Sequence, residues 1–538
     1  MLKFAVFDED GPARAWPLRH AHLIGPDDIP VPAEIDFEKG EIRCQKSSSG
    51  AAALCLLFDS GANGDLMLQT CLLPERERPY LLSLELARHR IMLFLNKLEE
   101  WLHCELSPED EAMTLFERAR GAFTTALTAD RTPEGTYSPE QVRLARESLR
   151  LAIDASERLA LLVAEHTLAR RLGAPANANG LANAPIGCVV RPAQGGEALQ
   201  RIVRESFDFL VAPMRWTDLE PSEGEYAFTQ TDKWIEWAAR TAKMPVMGGP
   251  LIDLRPGCTP DWLGIWDNDY ETLREVVYGH LKQVVGRYRK AVNRWVVGSG
   301  LHLNTSFSLT LEHLMDLTRI CVMVVRKMQP NAKIYLEIDQ PFGEHYAAHP
   351  SSAPPLLYAE MVSQHGLSID AFALRVQMGG GMAGRATRDM MQLSAMLDAY
   401  SQFDKPLIVS AMGAPSTPPP AATDDADADA EDPGPDRSTR DPGYWRGPWS
   451  PESQAEWLMH ALTIALGKPY VQSVAWSDLY DSPPGADCDD MPGAGLISGE
   501  GRAKPAMHRM AQIRRAMRDR TPPTRIIRAS APPEETAI

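Results

Sequence analysis

Within the first 78 residues, the short apolar or alternating stretches LKFAVF, EIRCQ, AALCLLF and DLMLQTCLL are broken by DEDGP, SSSG and SGANGD. Runs of period two between Gly, Pro, Asn and Ser clusters read as strands joined by turns, so residues 1–78 predict a small antiparallel sheet or sandwich. The period then changes. YLLSLELARHRIMLFLNKLEEWL and VRLARESLRLAIDASERLALLVAEHTLARRL repeat their apolar positions every three or four residues, which predicts two or three long helices over residues 79–171, packed as a hairpin. Ser138-Pro139-Glu140 supplies a capping side chain followed by proline in the first turn. The breaker-rich LGAPANANGLANAP, residues 172–185, reads as a linker and a domain boundary.

From residue 186 onward, apolar runs of strand length alternate with helical segments: PIGCVVR, FDFLVAPM, PVMGGPLI, NRWVVGSG, AKIYLEID, IDAFALRVQ, KPLIVSA and VQSVAWSDL. Strand–helix alternation predicts a parallel sheet. Eight such repeats over residues 186–520 predict a closed (β/α)8 TIM barrel behind an N-terminal β-plus-helical region. An open doubly wound sheet would carry a G-x-G-x-x-G turn after its first strand, and GCVVRPAQGGEA is not one. Residues 415–443, rich in Pro, Ala and Asp, read as a disordered acidic insertion after the seventh strand. The glycine and closing glutamate of a calcium loop are missing there at the required offsets. Residues 521–538 read as a frayed tail.

Composition narrows the function classes. The chain has 538 residues, 44% hydrophobic and 24% charged, which are ordinary globular values. Its 72 acidic against 55 basic side chains give a formal charge of −17, which argues against nucleic acid and anionic membrane as partners. No run of about 18 uncharged apolar residues predicts a membrane span. The start, MLKFAVFDEDGPARAW, has acids by residue 8 and no apolar signal core, so a cytoplasmic location is expected. The eight cysteines, Cys44, Cys55, Cys71, Cys104, Cys188, Cys258, Cys321 and Cys488, are dispersed without a C-x-x-C pair. They read as free thiols of a reducing compartment, with no metal site and no cofactor expected.

Four stretches, taken in order, resemble the family 10 glycoside hydrolases, the β-1,4-xylanase family. FDFLVAPMRWTDLEPSEGEYAFTQTDKWIEWA (207–238) resembles the second strand and loop of that family, with Trp216, Glu220-Pro221, Gly224 and Phe228 in place. CTPDWL (258–263) resembles its Q-T-P-D-W-L, and HLKQVVGRYRKAVNRWVV (280–297) its fourth strand and preceding helix. AGLISGEGRAKPAMHRM (494–510) resembles its G-L-L-D-x-x-G-x-P-K-P-A-Y. The resemblance covers about three-fifths of the chain, implies the same barrel, and says nothing of residues 1–171. It also implies a retaining pair of carboxyl groups at the ends of strands four and seven, roughly 5–5.5 Å apart. Here W-D-V-V-N-E reads WVVGSG, so the acid/base position falls on Gly300 after Ser299. I-T-E-L-D reads VSAMG, so the nucleophile position falls on Ala411 beside Ser410. The sugar-contacting E-N-E-M-K and G-H-T-L-V-W-H motifs are replaced as well, by Val211–Arg215 and GGPLIDLRPG.

Active sites of such barrels lie at the C-terminal ends of the strands. The acids predicted there are Asp253, Glu337, Asp339, Asp478 and Asp481, of which Asp253, Glu337 and Asp478 are the candidate substitutes for the missing pair. Arg215, Arg255, Gln377, Trp476 and Tyr480 are the ligand-binding candidates on the same face. The competing reading gives these acids to helix caps and arginine partners. His280 and His302 read as structural, since neither has a second ligand at helical spacing. Trp445 and Trp449 read equally as a lid or as an anchor for the returning insertion. Three functions fit: a degenerate family 10-like barrel that binds a β-linked oligosaccharide or polysaccharide, an active glycosidase with a relocated acid pair, and an interaction protein that works through its N-terminal region.

Overall fold

The computed structural model describes residues 1–8, 11–47, 50–101, 106–133, 135–173, 185–191, 195–255, 257–380, 384–418, 441–482, 491 and 493–521. Eight parallel strands form a closed barrel: Ile186–Val189, Phe209–Ala212, Val246–Gly248, Arg294–Ser299, Lys333–Ile338, Ala371–Gln377, Leu407–Gly413 and Val471–Trp476. They are numbered one to eight below. Closure is direct, because Val474 of strand eight pairs with Ile186 of strand one. A helix follows each strand, from Glu197–Ser206 after the first to Pro505–Asp519 after the eighth. This is the (β/α)8 barrel that the alternation predicts.

The barrel interior is filled by side chains such as Phe209, Val211, Met247, Tyr335, Ile408 and Ala475, packed as their own apolar cluster. Gly187 is demanded there, since a Cβ on it would lie 2.5 Å from the Phe209 ring. The short strand Ile252–Asp253 lies outside the regular ring and pairs with the end of strand four, Asp253 opposite Ser299. That pairing carries Asp253 to the C-terminal mouth.

The N-terminal region is not a separate body. Its first sheet joins Leu2–Ala5, Ala33–Glu38, Glu41–Lys46 and Tyr80–Leu81, and it is not purely antiparallel: Leu2–Ala5 runs parallel to Tyr80–Leu81. The second sheet contains His22–Ile24, Pro30–Val31, Ala53–Asp59 and Gly64–Gln69, and takes its edge strand, Tyr444–Trp445, from the loop after barrel strand seven. Gly64 permits that pairing, for a Cβ on it would stand 2.2 Å from the Tyr444 carbonyl oxygen. The long helices are Leu82–Glu100, Glu111–Thr128 and Pro139–Gly173. The last runs two residues past the predicted boundary, and residues 174–184 of the predicted linker lie outside the described residues, as do 419–440 of the insertion and 522–538 of the tail.

Polar contacts lock this region to the barrel. Arg90 donates to both oxygens of Asp389 at 3.0 and 2.6 Å, with both side chains buried, and Asp389 also caps the helix Met390–Ser401. Lys97 reaches Asp398 at 2.8 Å, where Lys468 also binds at 2.7 Å. Trp445 is buried and donates its indole N–H to Glu157 at 2.6 Å, while Trp449 donates to the Gly443 carbonyl at 3.1 Å. Both tryptophans therefore anchor the returning chain, and neither forms a lid.

The cysteines require one correction. Cys44, Cys55, Cys71, Cys188 and Cys321 are free, but Cys258 is disulfide-bonded. Dispersed cysteines give no pairing from sequence alone, so the free-thiol reading failed at this position. Among the described residues no helix is long and apolar enough to cross a membrane.

Removing one partner of a buried ion pair strands the other charge, at a cost of roughly 3–5 kcal/mol. Arg90→Ala is accordingly expected to lower the unfolding free energy by about that amount in chemical denaturation. A loss within about 0.5 kcal/mol, as for an ordinary surface change, would show that the N-terminal region is not held by this contact.

Candidate functional site at the barrel mouth

Glu337, near the end of strand five, stands at the centre of the C-terminal mouth and is buried. Ser299 of strand four donates to its Oε1 at 2.5 Å, and Ser410 of strand seven donates to its Oε2. Arg375 of strand six adds an Nε–H bond to Oε1 at 3.1 Å. One carboxylate thus ties together four neighbouring strands. Burial pushes its pKa upward, but Arg375, Arg255 and the two serine hydroxyls outweigh burial and hold it below the usual carboxylate range.

The other candidate acids are engaged in the same way. Asp253 receives a bidentate pair from Arg255, Nε to Oδ1 at 2.8 Å and Nη2 to Oδ2 at 2.6 Å, with both residues buried. Asp478, after strand eight, accepts from Arg191 at 2.8 Å. Asp339 is buried with Arg385 at 4.0 Å, and Asp481 binds Lys504 at 2.6 Å. Arg215 pairs with Asp218 at 2.8 Å and also lines the mouth. The free space among Arg191, Arg215, Arg255, Glu337, Arg375 and Asp478 is about 30 Å³, room for a water or two.

The two positions that the resemblance gives to the catalytic pair lie beside this network. Ser299 ends strand four and pairs with Glu337, while Ala411 lies in strand seven opposite Arg375. Gly300 adopts a left-handed φ of +62°, and a Cβ there would stand 2.6 Å from Arg255 Cγ. The space a side chain would need at that position is taken by the arginine that grips Asp253.

The ligand-binding candidates separate. Trp476 is fully buried, packs edge-on against Trp457 and donates its N–H to the Ala494 carbonyl at 2.8 Å. As a ligand-binding candidate at the mouth it is therefore corrected: its ring packs into the layer between strand and helix. Tyr480 is half-buried and bridges Ile497. Gln377 is buried, and neither of its amide atoms has a hydrogen-bond partner among the described residues. Two important residues escaped the sequence reading, Arg191 and Arg375. The signal for Arg375 was present: in AFALRVQ it follows Ala371 and Ala373 at period two, and those two alanines face the barrel interior.

Residues of the resembling motifs converge on a structural knot. Glu220 accepts from the Trp216 indole at 2.8 Å and the Gly224 amide at 2.9 Å, and lies 2.9 Å from His280 Nδ1. The Trp262 indole donates to its carbonyl at 3.1 Å, and Trp216 stacks on His280 at 4.2 Å. Burial would raise the Glu220 carboxyl, yet these hydrogen bonds bring it down to about 2. Among the described residues, no group of three or more His, Cys, Asp or Glu could hold a metal ion.

A buried carboxylate with a lowered pKa contributes stability that is fully present above its unfolded value, 4.5, and is lost as pH falls through its native value. Glu337→Gln removes that contribution. The variant is expected to be less stable than the parent at pH 7, with a gap that narrows below pH 4.5. Denaturant melts at several pH values measure this, and a gap independent of pH would contradict an ionised Glu337 in the native mouth.

Comparison with known proteins bears on residues at this end of the chain. Residues 176–336 match the model of glycosyl hydrolase family 10. Endo-1,4-beta-xylanase B of Humicola insolens is 27% identical over 139 residues, 25% of this chain and 37% of that protein. Endo-1,4-beta-xylanase 3 of Hypocrea jecorina is 27% identical over 129 residues, 23% and 35% of the two chains. The match therefore spans little more than a third of the curated relatives' length. Among solved structures, native xylanase 10B of Thermotoga maritima superposes on 65% of this chain and 98% of its own, with 16% identity and a TM-score of 0.47. The GH10 xylanase of Thermobacillus composti covers 61% and 96%, with 17% identity and a TM-score of 0.44. Residues 176–336 are thus similar to glycosyl hydrolase family 10, and the closed barrel they help to build is xylanase-like.

Proposed function

We propose that this protein is a non-hydrolysing xylanase-like barrel that recognises a β-linked saccharide without cleaving it. The observation that carries the reading is the occupation of Glu337: both of its oxygens accept serine hydroxyls from strands four and seven, and Arg375 holds it as an anion. A general acid must be protonated at the working pH, and Glu337 is shifted the opposite way. A nucleophile needs a free lone pair directed at an anomeric carbon, and a mouth with about 30 Å³ of space admits no sugar ring. Asp253 and Asp478 are each committed to an arginine, so a relocated acid pair gains no support. The saccharide is taken from the chemistry of the relatives, which are named as endo-1,4-beta-xylanases. Recognition without a roomy mouth would use a surface elsewhere on the chain.

The purified chain is expected to release no reducing sugar from xylan and no aglycone from aryl β-xylosides, because general acid–base help worth about 10²–10⁴-fold and the covalent route are both missing. Restoring the acids by Gly300→Glu with Ala411→Glu is expected to fail too, since a side chain at 300 meets Arg255 at 2.6 Å and is strained at φ +62°. Turnover by the parent that is lost in Asp253→Ala or Asp478→Ala would replace this reading with a relocated active site.

A further inference from the structure

A cavity of about 710 Å³ lies far along the chain from the barrel mouth, inside the N-terminal region. Its volume is within the range of small-ligand sites, roughly 300–1,000 Å³. Three elements wall it: the loop carrying Trp16 and Arg19, the end of the strand Ala53–Asp59 with the following turn, and the helix Pro139–Gly173. Arg146 and Arg150 sit one helical turn apart, so both face the cavity.

The lining mixes apolar and charged side chains, and its charges balance, with three arginines against Asp8, Asp59 and Glu147. Several of these charges are already spent. Arg19 pairs with Asp65 and with Asp441, Arg150 with Asp154 at 3.2 Å, and Glu147 with Arg143 at 3.0 Å. Three are not engaged in ion pairs among the described residues. Arg146 donates to the Phe7 carbonyl, Asp8 accepts the Arg14 amide at 3.3 Å, and Asp59 accepts the Gly61 amide at 2.8 Å. Beside them stands Trp16, half-buried, one side of its indole tilted against Phe58 at 5.9 Å.

We propose that this cavity is a binding site for a neutral saccharide. Planar carboxylates accept hydroxyl hydrogens, a guanidinium donates to ring and hydroxyl oxygens, and an indole covers the apolar face of a pyranose. The balanced charge favours a neutral ligand, because an acidic sugar would meet Asp8 and Asp59 as well as Arg146. The choice of a saccharide rests on the reading of the previous section; the location and the charge class rest on the cavity itself.

The test is calorimetric titration of the full chain with xylohexaose, repeated on Asp59→Asn, Arg146→Met and Trp16→Ala, with circular dichroism confirming that each variant is folded. Asp59 is exposed, so Asp59→Asn keeps the test open if the tryptophan variant fails to fold. Loss of one good polar contact corresponds to about tenfold weaker binding, the change expected for Asp59→Asn and Arg146→Met. Parent binding left unchanged by all folded cavity variants, but lost in Arg215→Ala at the barrel mouth, would overturn this site and leave saccharide recognition standing. Absence of binding by the parent would overturn both. Tighter binding of a glucuronic acid-substituted xylo-oligosaccharide than of xylohexaose would overturn the neutral class.

Discussion

A carboxylate buried at the axis of a barrel has to be neutralised by something, and around Glu337 everything else at the mouth is arranged to do so. Desolvating an ion costs several kcal/mol unless charge and hydrogen bonds replace its water. Arg375 supplies the charge, Arg255 adds its field, and Ser299 and Ser410 supply hydroxyls from strands on either side. Because those hydroxyls come from strands four and seven, satisfying the carboxylate also draws the mouth closed. Arg255 is in turn fixed by Asp253, and its side chain fills the volume above Gly300. The chemistry proposed to be absent and the packing that is present thus have one cause: hydroxyls and arginines stand where a hydrolytic site needs space and free carboxyl oxygens.

The N-terminal region depends on a second set of buried charges. Arg90–Asp389, Lys97–Asp398–Lys468 and Glu157 with Trp445 all bridge it to barrel helices or to the loop after strand seven. The Tyr444–Trp445 strand completes a sheet whose other strands come from the first 69 residues. The chain after strand seven is thereby pinned at Tyr444–Trp445, and one hydrophobic core runs through both regions.

The parts legible in the sequence were those set by local periodicity. Eight strand-length runs separated by helical ones gave the barrel, and the resembling motifs marked Trp216, Glu220 and Gly224, which the fold gathers with His280 into one knot. Strand order put Glu337 and Asp478 at the strand ends where they line the mouth, yet their charge partners, Arg375 and Arg191, come from other strands and were not readable. Arg375 could have been found by alternation, whereas Arg191, at the end of CVVR, looks like any strand terminus. Trp476 was misjudged because a strand position does not say which layer a large ring fills. The shared sheet was invisible for a different reason: Tyr444 and Asp65 are partners nearly 380 residues apart, and no local pattern reports such a pairing.

The central claim is that the mouth is closed to sugar by the Glu337 network. A crystal structure of the full chain soaked with xylohexaose examines it most directly. The account predicts no saccharide at the mouth, with Glu337 still bonded directly to Ser299 and Ser410, and saccharide density against Trp16 and Asp59. A xylose ring seated between strands four and seven, with its anomeric carbon facing Glu337 and the serine bonds broken, would contradict it.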